Sequence, residues 1–119
     1  MAGVADGRPR VLDVLDPEIE WHIEDTLPDS AIYRGHAGVE EFFAGLRQVW
    51  VGLRFEADGF IEAGERVLVV ARQIGRGAGS DVLVEQRLYP IFEMRAGRAV
   101  RMDVYFDRER ATAALGPSA

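Results

Sequence analysis

From Leu53 to Phe106 the chain runs as one apolar–polar alternation after another, interrupted only by short turns that carry glycine. The runs are "LRFEADGFIEAG", "RVLVVARQIG", "DVLVEQRLYPIFEMR" and "AVRMDVYF", with turns at Gly64-Glu65, "GRGAGS" and "RAGR". Parallel neighbours need a crossover of about a dozen residues or more, and none of these connections holds one. Consecutive antiparallel hairpins are therefore predicted. "GRGAGS" has glycines spaced like a phosphate loop, but such loops lead from a strand into a helix. This one joins two strands and reads as a hairpin turn.

Upstream, "EIEWHIE" (residues 18–24) alternates strictly. Ile19, Trp21 and Ile23 point one way and Glu20, His22 and Glu24 the other, the pattern of a half-buried strand. Before it, residues 1–10 read as a loose tail. "RVLDVLDPE" has Val11, Leu12 and Leu15 on one face of a helical turn that Pro17 should end. "DTLPDS" is a loop and "AIYRG" a short strand. In "HAGVEEFFAGLRQVW", Val39, Phe42, Phe43, Leu46, Val49 and Trp50 recur at three- and four-residue steps, which predicts an amphipathic helix. Glu40 and Glu41 near its start and Arg47 near its end suit the helix dipole, and Gly52 is a plausible stop. Asp107 can cap a last helix, "RERATAALG", ended by Gly116-Pro117. The fold class is α+β, one domain over residues 11–115 with a short tail at 116–119, its curved sheet packed on helices.

Composition narrows the chemistry. The net charge of −6 and the scatter of arginines argue against a nucleic-acid binder, which needs a basic face. All 14 basic residues are arginine, so no lysine amine is present for Schiff-base formation. The absence of cysteine removes thiol catalysis, disulfides and thiolate metal sites. Two histidines do not suffice for a multi-histidine metal centre. The longest apolar run, Val67 to Ala71, is far too short to span a bilayer. The N-terminus lacks the apolar core of a secretory signal. A cytoplasmic protein without membrane contact, metal or cofactor is expected.

The stretches "LDPEIEWH", "YRGHAGVEEFF", "IEAGERVLVVAR", "GRGAGS" and "RAGRAVRMDVYFDRERA" together resemble the SnoaL-like branch of the nuclear transport factor 2-like (cystatin-like) superfamily. They occur in family order over residues 11–115. The resemblance implies a cone, a bent antiparallel or mixed sheet around helices with a pocket in its wide mouth, and a homodimer formed through the sheet. The superfamily holds ketosteroid isomerases, limonene epoxide hydrolases, polyketide cyclases and non-catalytic binding domains. Its members usually begin with a long helix that closes the cone. "MAGVADGRPR" is too short to replace that helix, so either the start lies upstream or the pocket is expected to stand uncovered, without the tyrosine that isomerases carry on that helix.

The same resemblance points to candidate residues. His22 stands where the isomerases carry their aspartate base, so it is a candidate general base; its alternative is a polar side chain on the wetter side of the strand. Over 82–94, Val82, Val84, Leu88, Pro90, Phe92 and Met94 share a face on which Gln86 is the one polar residue, and the family places that face inside the cone. Glu85, Arg87, Tyr89 and Glu93 face the other way. Pro90 should disturb the ladder. The carboxylic acid that isomerases carry nearby is missing, and the epoxide-hydrolase aspartate falls on Val104. In the last strand Val100, Met102, Val104 and Phe106 should point inward. Either Arg72 or Gln73 faces inward, an inward arginine needing an acidic partner. Tyr33 and Trp50 bring polar edges suited to an apolar ligand. The expected site is His22 as base, with Trp21, Tyr33, Trp50, Arg72, Gln86 and Met102 around a small hydrophobic molecule. The two readings are a SnoaL-like pocket domain that binds such a ligand, and a cofactor-independent isomerase, cyclase or epoxide hydrolase.

Overall fold

A computed structural model describes residues 13–23 and 31–116. Its elements are β1 (Leu15–Ile23), β2 (Ala31–Arg34), α1 (Gly35–Val49), β3 (Trp50–Ala63), β4 (Arg66–Gly77), β5 (Leu83–Arg95), β6 (Arg98–Tyr105) and α2 (Arg108–Leu115). The strands form one six-stranded mixed sheet in the order β2-β1-β6-β5-β4-β3. Every neighbouring pair is antiparallel except β1 and β6, which run parallel and join the two ends of the chain. The hairpins follow from the short turns read in the sequence. The parallel seam needs the whole length of chain between its two strands, so no local signal announces it.

Each helix covers a different face. Under α1, the side chains of Ile19, Trp21, Val39, Ala71, Leu88, Met102 and Val104 form the larger buried cluster. Under α2, Leu68, Tyr89, Ile91, Ala111 and Leu115 form the second. The α1 side is called the inner face here and the α2 side the outer. The alternation of β1 and β6 thus divides between two cores: Trp21 and Met102 inward, His22 and Asp103 outward. Bulges between Val51 and Arg54 and between Ala57 and Gly59 bend the edge strand β3.

Three local expectations need correction. Leu15 already belongs to β1, which runs through Pro17 instead of starting after it. The register between β1 and β6 is irregular between Leu15 and Glu20, so the missing proline donor falls where the ladder is already broken. Pro90 keeps its place opposite Val104, and the β5–β6 shift lies at Glu93/Met94. Gly52 does not end α1: the helix stops at Val49, with Trp50 already extended, and Gly52 sits within β3 at φ 64°. The tail 1–10, the absent leading helix argued from it, the loop 25–30 and residues 117–119 lie outside the described residues.

At the start of α1, Gly35 takes φ 71°, and a Cβ there would lie 3.1 Å from the Pro17 carbonyl oxygen. The His36 ring Nε2 stands 2.9 Å from the carbonyl oxygen of Leu15. The close approach of the Gly35 backbone to Pro17 and the His36 contact with Leu15 seat the start of the helix against β1.

Candidate functional site

Cross-strand registry places Tyr33, Trp21, Met102 and Phe92 side by side across β2, β1, β6 and β5 on the inner face. α1 adds Phe42 and Phe43 above them. The Trp21 ring lies 6.0 Å from Phe42, 5.8 Å from Phe43 and 6.2 Å from Phe92, centroid to centroid, all tilted or edge-on. Tyr33 meets Phe42 at 5.3 Å, and Phe43 leads on to Phe55 at 6.0 Å. Such tilted contacts suit ring quadrupoles better than a face-to-face stack. Trp21 is 6% exposed, whereas Tyr33, Phe42, Phe43 and Phe92 are half-buried and Phe55 is 42% exposed. The chain of rings therefore grades from the core to solvent.

Two polar groups of the described residues are buried on this face. The indole Nε1 of Trp21 is enclosed and has no hydrogen-bond partner among the described residues. Gln73 is 7% exposed and pairs in register with Phe55 on one side and Gln86 on the other. Trp50 heads β3 and lies over Gly75, where a Cβ would approach the indole Cε3 to 3.2 Å, so a larger residue would crowd the ring.

Several expected site residues stand elsewhere. His22 is on the outer face, its registry partners being Ile32 and Asp103, and its Nε2 lies 3.0 Å from Glu20 Oε1. Trp21 and His22 are adjacent in a strand, so their side chains point to opposite faces and cannot share one pocket. Arg72 also faces out. Its Nε donates to Asp58 Oδ2 at 2.9 Å and its Nη2 to Glu56 Oε1 at 2.8 Å, with Glu85 3.7 Å away. These acids raise its pKa further above the ordinary arginine range, the Asp58 hydrogen bond most of all. Gln73 is the inward member of that pair. Gln86 does lie on the inner face by registry with Gln73, yet it is exposed instead of enclosed. Met102, 2% exposed, is packed in the inner core.

The outer face is charged in an orderly way. Arg34, Glu20, Arg101, Glu93 and Arg66 follow one another in register across five strands, signs alternating. Opposite charges facing across a ladder support the sheet. Arg101 also donates to Asp103 Oδ2 at 2.8 Å, and that hydrogen bond raises its pKa. Beside α2 these side chains border an open cleft of about 180 Å³ lined by Arg66, Ile91, Glu93, Arg101, Asp103 and Tyr105. Its arginines are already engaged, Arg101 with Asp103 and Arg66 with the end of α2.

The hydrogen bond with His22 holds the Glu20 carboxyl below its ordinary pKa of 4.5, with Arg34 and Arg101 adding smaller effects in the same direction. A carboxyl depressed in the folded chain contributes stability above its unfolded pKa and loses it as pH falls through the folded value. The Glu20→Gln variant should accordingly fall short of the parent in melting temperature at pH 7, and the gap should close as pH falls below 4.5 through the lowered folded pKa. A gap of constant size across that range would show that the carboxylate does not act through its charge.

A family model described as "SnoaL-like domain" matches residues 2–102. No curated protein matches the sequence. Among solved structures, an NTF2-like protein of unknown function from Burkholderia pseudomallei K96243 superposes with a TM-score of 0.75 at 23% identity, covering 98% of this chain and 90% of its own. TerC co-crystallised with polyporic acid has a TM-score of 0.72 at 28% identity, with 98% and 92% covered. A candidate SnoaL-like polyketide cyclase from Jannaschia sp. CCS1 gives 0.70 at 19% identity, with 92% and 79% covered.

Proposed function

The chain belongs to the SnoaL-like domain family, and from that premise we propose that it binds a small hydrophobic molecule on the inner face of its cone, between α1 and the sheet. One observation carries the reading. The rings of Phe55, Phe43, Phe42 and Trp21 form a continuous aromatic path from solvent to core on a single face. Ligand sites of small domains are concave and mostly apolar, with a few polar groups that orient the guest. Gln73 and the Trp21 N–H are buried polar groups available here. That TerC, at 28% identity, was co-crystallised with polyporic acid supports the reading of a small-molecule binding domain.

The enzymatic reading draws no support from the geometry. A general base must come within hydrogen-bond reach of the proton it removes, and His22 stands on the opposite face of the sheet from the aromatic path.

Titration with fluorene, a flat neutral hydrocarbon, tests the proposal by calorimetry. Saturable one-to-one binding is expected. Phe55→Ala should weaken it several-fold by removing the outermost ring of the path, while Arg101→Ala, in the outer cleft, should leave it unchanged. The absence of saturable binding, or its loss in the Arg101 variant alone, would refute an inner-face site.

A further inference from the structure

We propose that Asp58-Gly59, on the edge strand β3, is a modification site: aspartate converts there to isoaspartate through a succinimide, and Arg72 holds the conversion in check. In this reaction the Gly59 backbone nitrogen attacks Cγ of Asp58. The carboxyl OH leaves with the amide proton as water, and a cyclic imide closes. Water then opens the ring. Opening at the side-chain carbonyl restores aspartate, whereas opening at the main-chain carbonyl leaves the chain running through the β-carbon. One water departs and one returns, and nothing is oxidised or reduced.

The sequence holds two Asp-Gly steps and no asparagine. Glycine after aspartate favours closure, because no Cβ shields the attacking nitrogen. Asp6-Gly7 lies outside the described residues, whereas Asp58-Gly59 stands at a bulge of β3. Ala57 pairs with Ala71 and Gly59 with Val70, so Asp58 is the extra residue and has no ladder partner. Among the described residues β3 ends the sheet, and Asp58 is exposed on it. Gly59 takes no left-handed φ, and a Cβ there would meet nothing within 4 Å. Neither the backbone nor the packing demands glycine at this step.

Arg72 supplies the restraint. Its Nε donates to Asp58 Oδ2 at 2.9 Å and its Nη2 to Oδ1 at 3.1 Å. That fork holds both oxygens. Cγ cannot swing onto the Gly59 nitrogen, or lose an oxygen, without giving up these bonds. Glu56, which accepts from Nη2 at 2.8 Å, steadies the guanidinium from the same strand. In the product the free carboxylate sits on the α-carbon, closer to the main chain, and the fork loses its partner.

Prolonged incubation at neutral pH, followed by an endoproteinase that cuts before aspartate but not before isoaspartate, reads the conversion at residue 58. The urea-unfolded chain sets the unrestrained rate. The folded parent should convert several-fold more slowly, and Arg72→Gln should recover most of that difference. Adding Gly59→Ala to Arg72→Gln should suppress the conversion again. Arg66→Ala loosens α2 instead, away from Asp58, and should keep the parent rate. Equal rates in the parent and Arg72→Gln overturn the assignment. So does an acceleration by Arg66→Ala as large as that by Arg72→Gln, which would trace the effect to general unfolding. An absence of isoaspartate at residue 58 even in urea removes the site altogether. Should Arg72→Gln not fold, Arg72→Lys decides, since it keeps the charge and loses the fork. A rate above the parent's then supports the assignment, and the parent rate overturns it.

Discussion

Replacing Trp21 with alanine is expected to lower the unfolding free energy by roughly 3–5 kcal/mol, the range for large aromatic residues removed from a core. For a domain of this size that is a fall in melting temperature on the order of 10–20 °C. The indole is 6% exposed and touches three phenylalanine rings from α1 and β5. Its removal leaves a hole between a helix and a sheet, two elements that cannot both move to close it. Urea denaturation of parent and variant reads the loss directly. His22→Ala supplies the contrast within the same strand. Its side chain is half-buried, and its partner Glu20 is well exposed, so a change within about 1 kcal/mol is expected. A loss below about 1 kcal/mol for Trp21→Ala would mean that the inner face is not packed as described.

The second large effect belongs to Arg66. Its guanidinium donates to the carbonyl oxygen of Ala114 at 3.0 Å and also to that of Leu115, the last residues of α2. A helix of eight residues is too short to persist alone in water. α2 is held by Ala111 and Leu115 in the outer cluster, by Asp107 capping its first turn and by this arginine at its negative end. Charge-assisted hydrogen bonds of this kind contribute more than neutral ones, and here they are partly open to solvent. Arg66→Ala should cost about 1–3 kcal/mol, and amide exchange over residues 111–115 should accelerate more than in β4 itself. Arg66→Lys, which keeps the charge but loses the fork of donors, should recover part of the protection. Unchanged exchange over α2 in the alanine variant would show that apolar packing alone seats the helix.

Much of the fold was legible because its signals are local. Alternation in "AVRMDVYF" turned Met102 inward and Asp103 outward as the structure has them, and in "EIEWHIE" it put Trp21 and His22 on opposite faces. The three-and-four spacing of Phe42, Phe43 and Leu46 found α1, and Asp107 caps α2 as read. The site was less legible. At "VVARQIG" the apolar residues preceding Arg72 break the alternation, so either phase fits; only registry with β3 and β5 turns Gln73 inward. Gln86 has the predicted face without the predicted burial. Burial depends on how far α1 reaches over the sheet, and fifteen helical residues extend only about 22 Å. His22 entered through the family resemblance, against the alternation that separates it from Trp21.

By itself, then, the sequence determined the element types, the hairpin order and the two-residue rhythm that gives each strand its two kinds of side chain. It also ruled out thiol, lysine and multi-histidine chemistry through the residues present. The tertiary structure decided which of those faces meets α1 and which meets α2, and with that which polar groups stand among aromatic rings and which in water. The division has a physical cause. Side-chain direction along a strand follows from backbone geometry within a few residues. Burial of Trp21, exposure of Gln86 and the parallel seam of β1 with β6 are set by segments tens of residues away, and no local pattern of side chains encodes them.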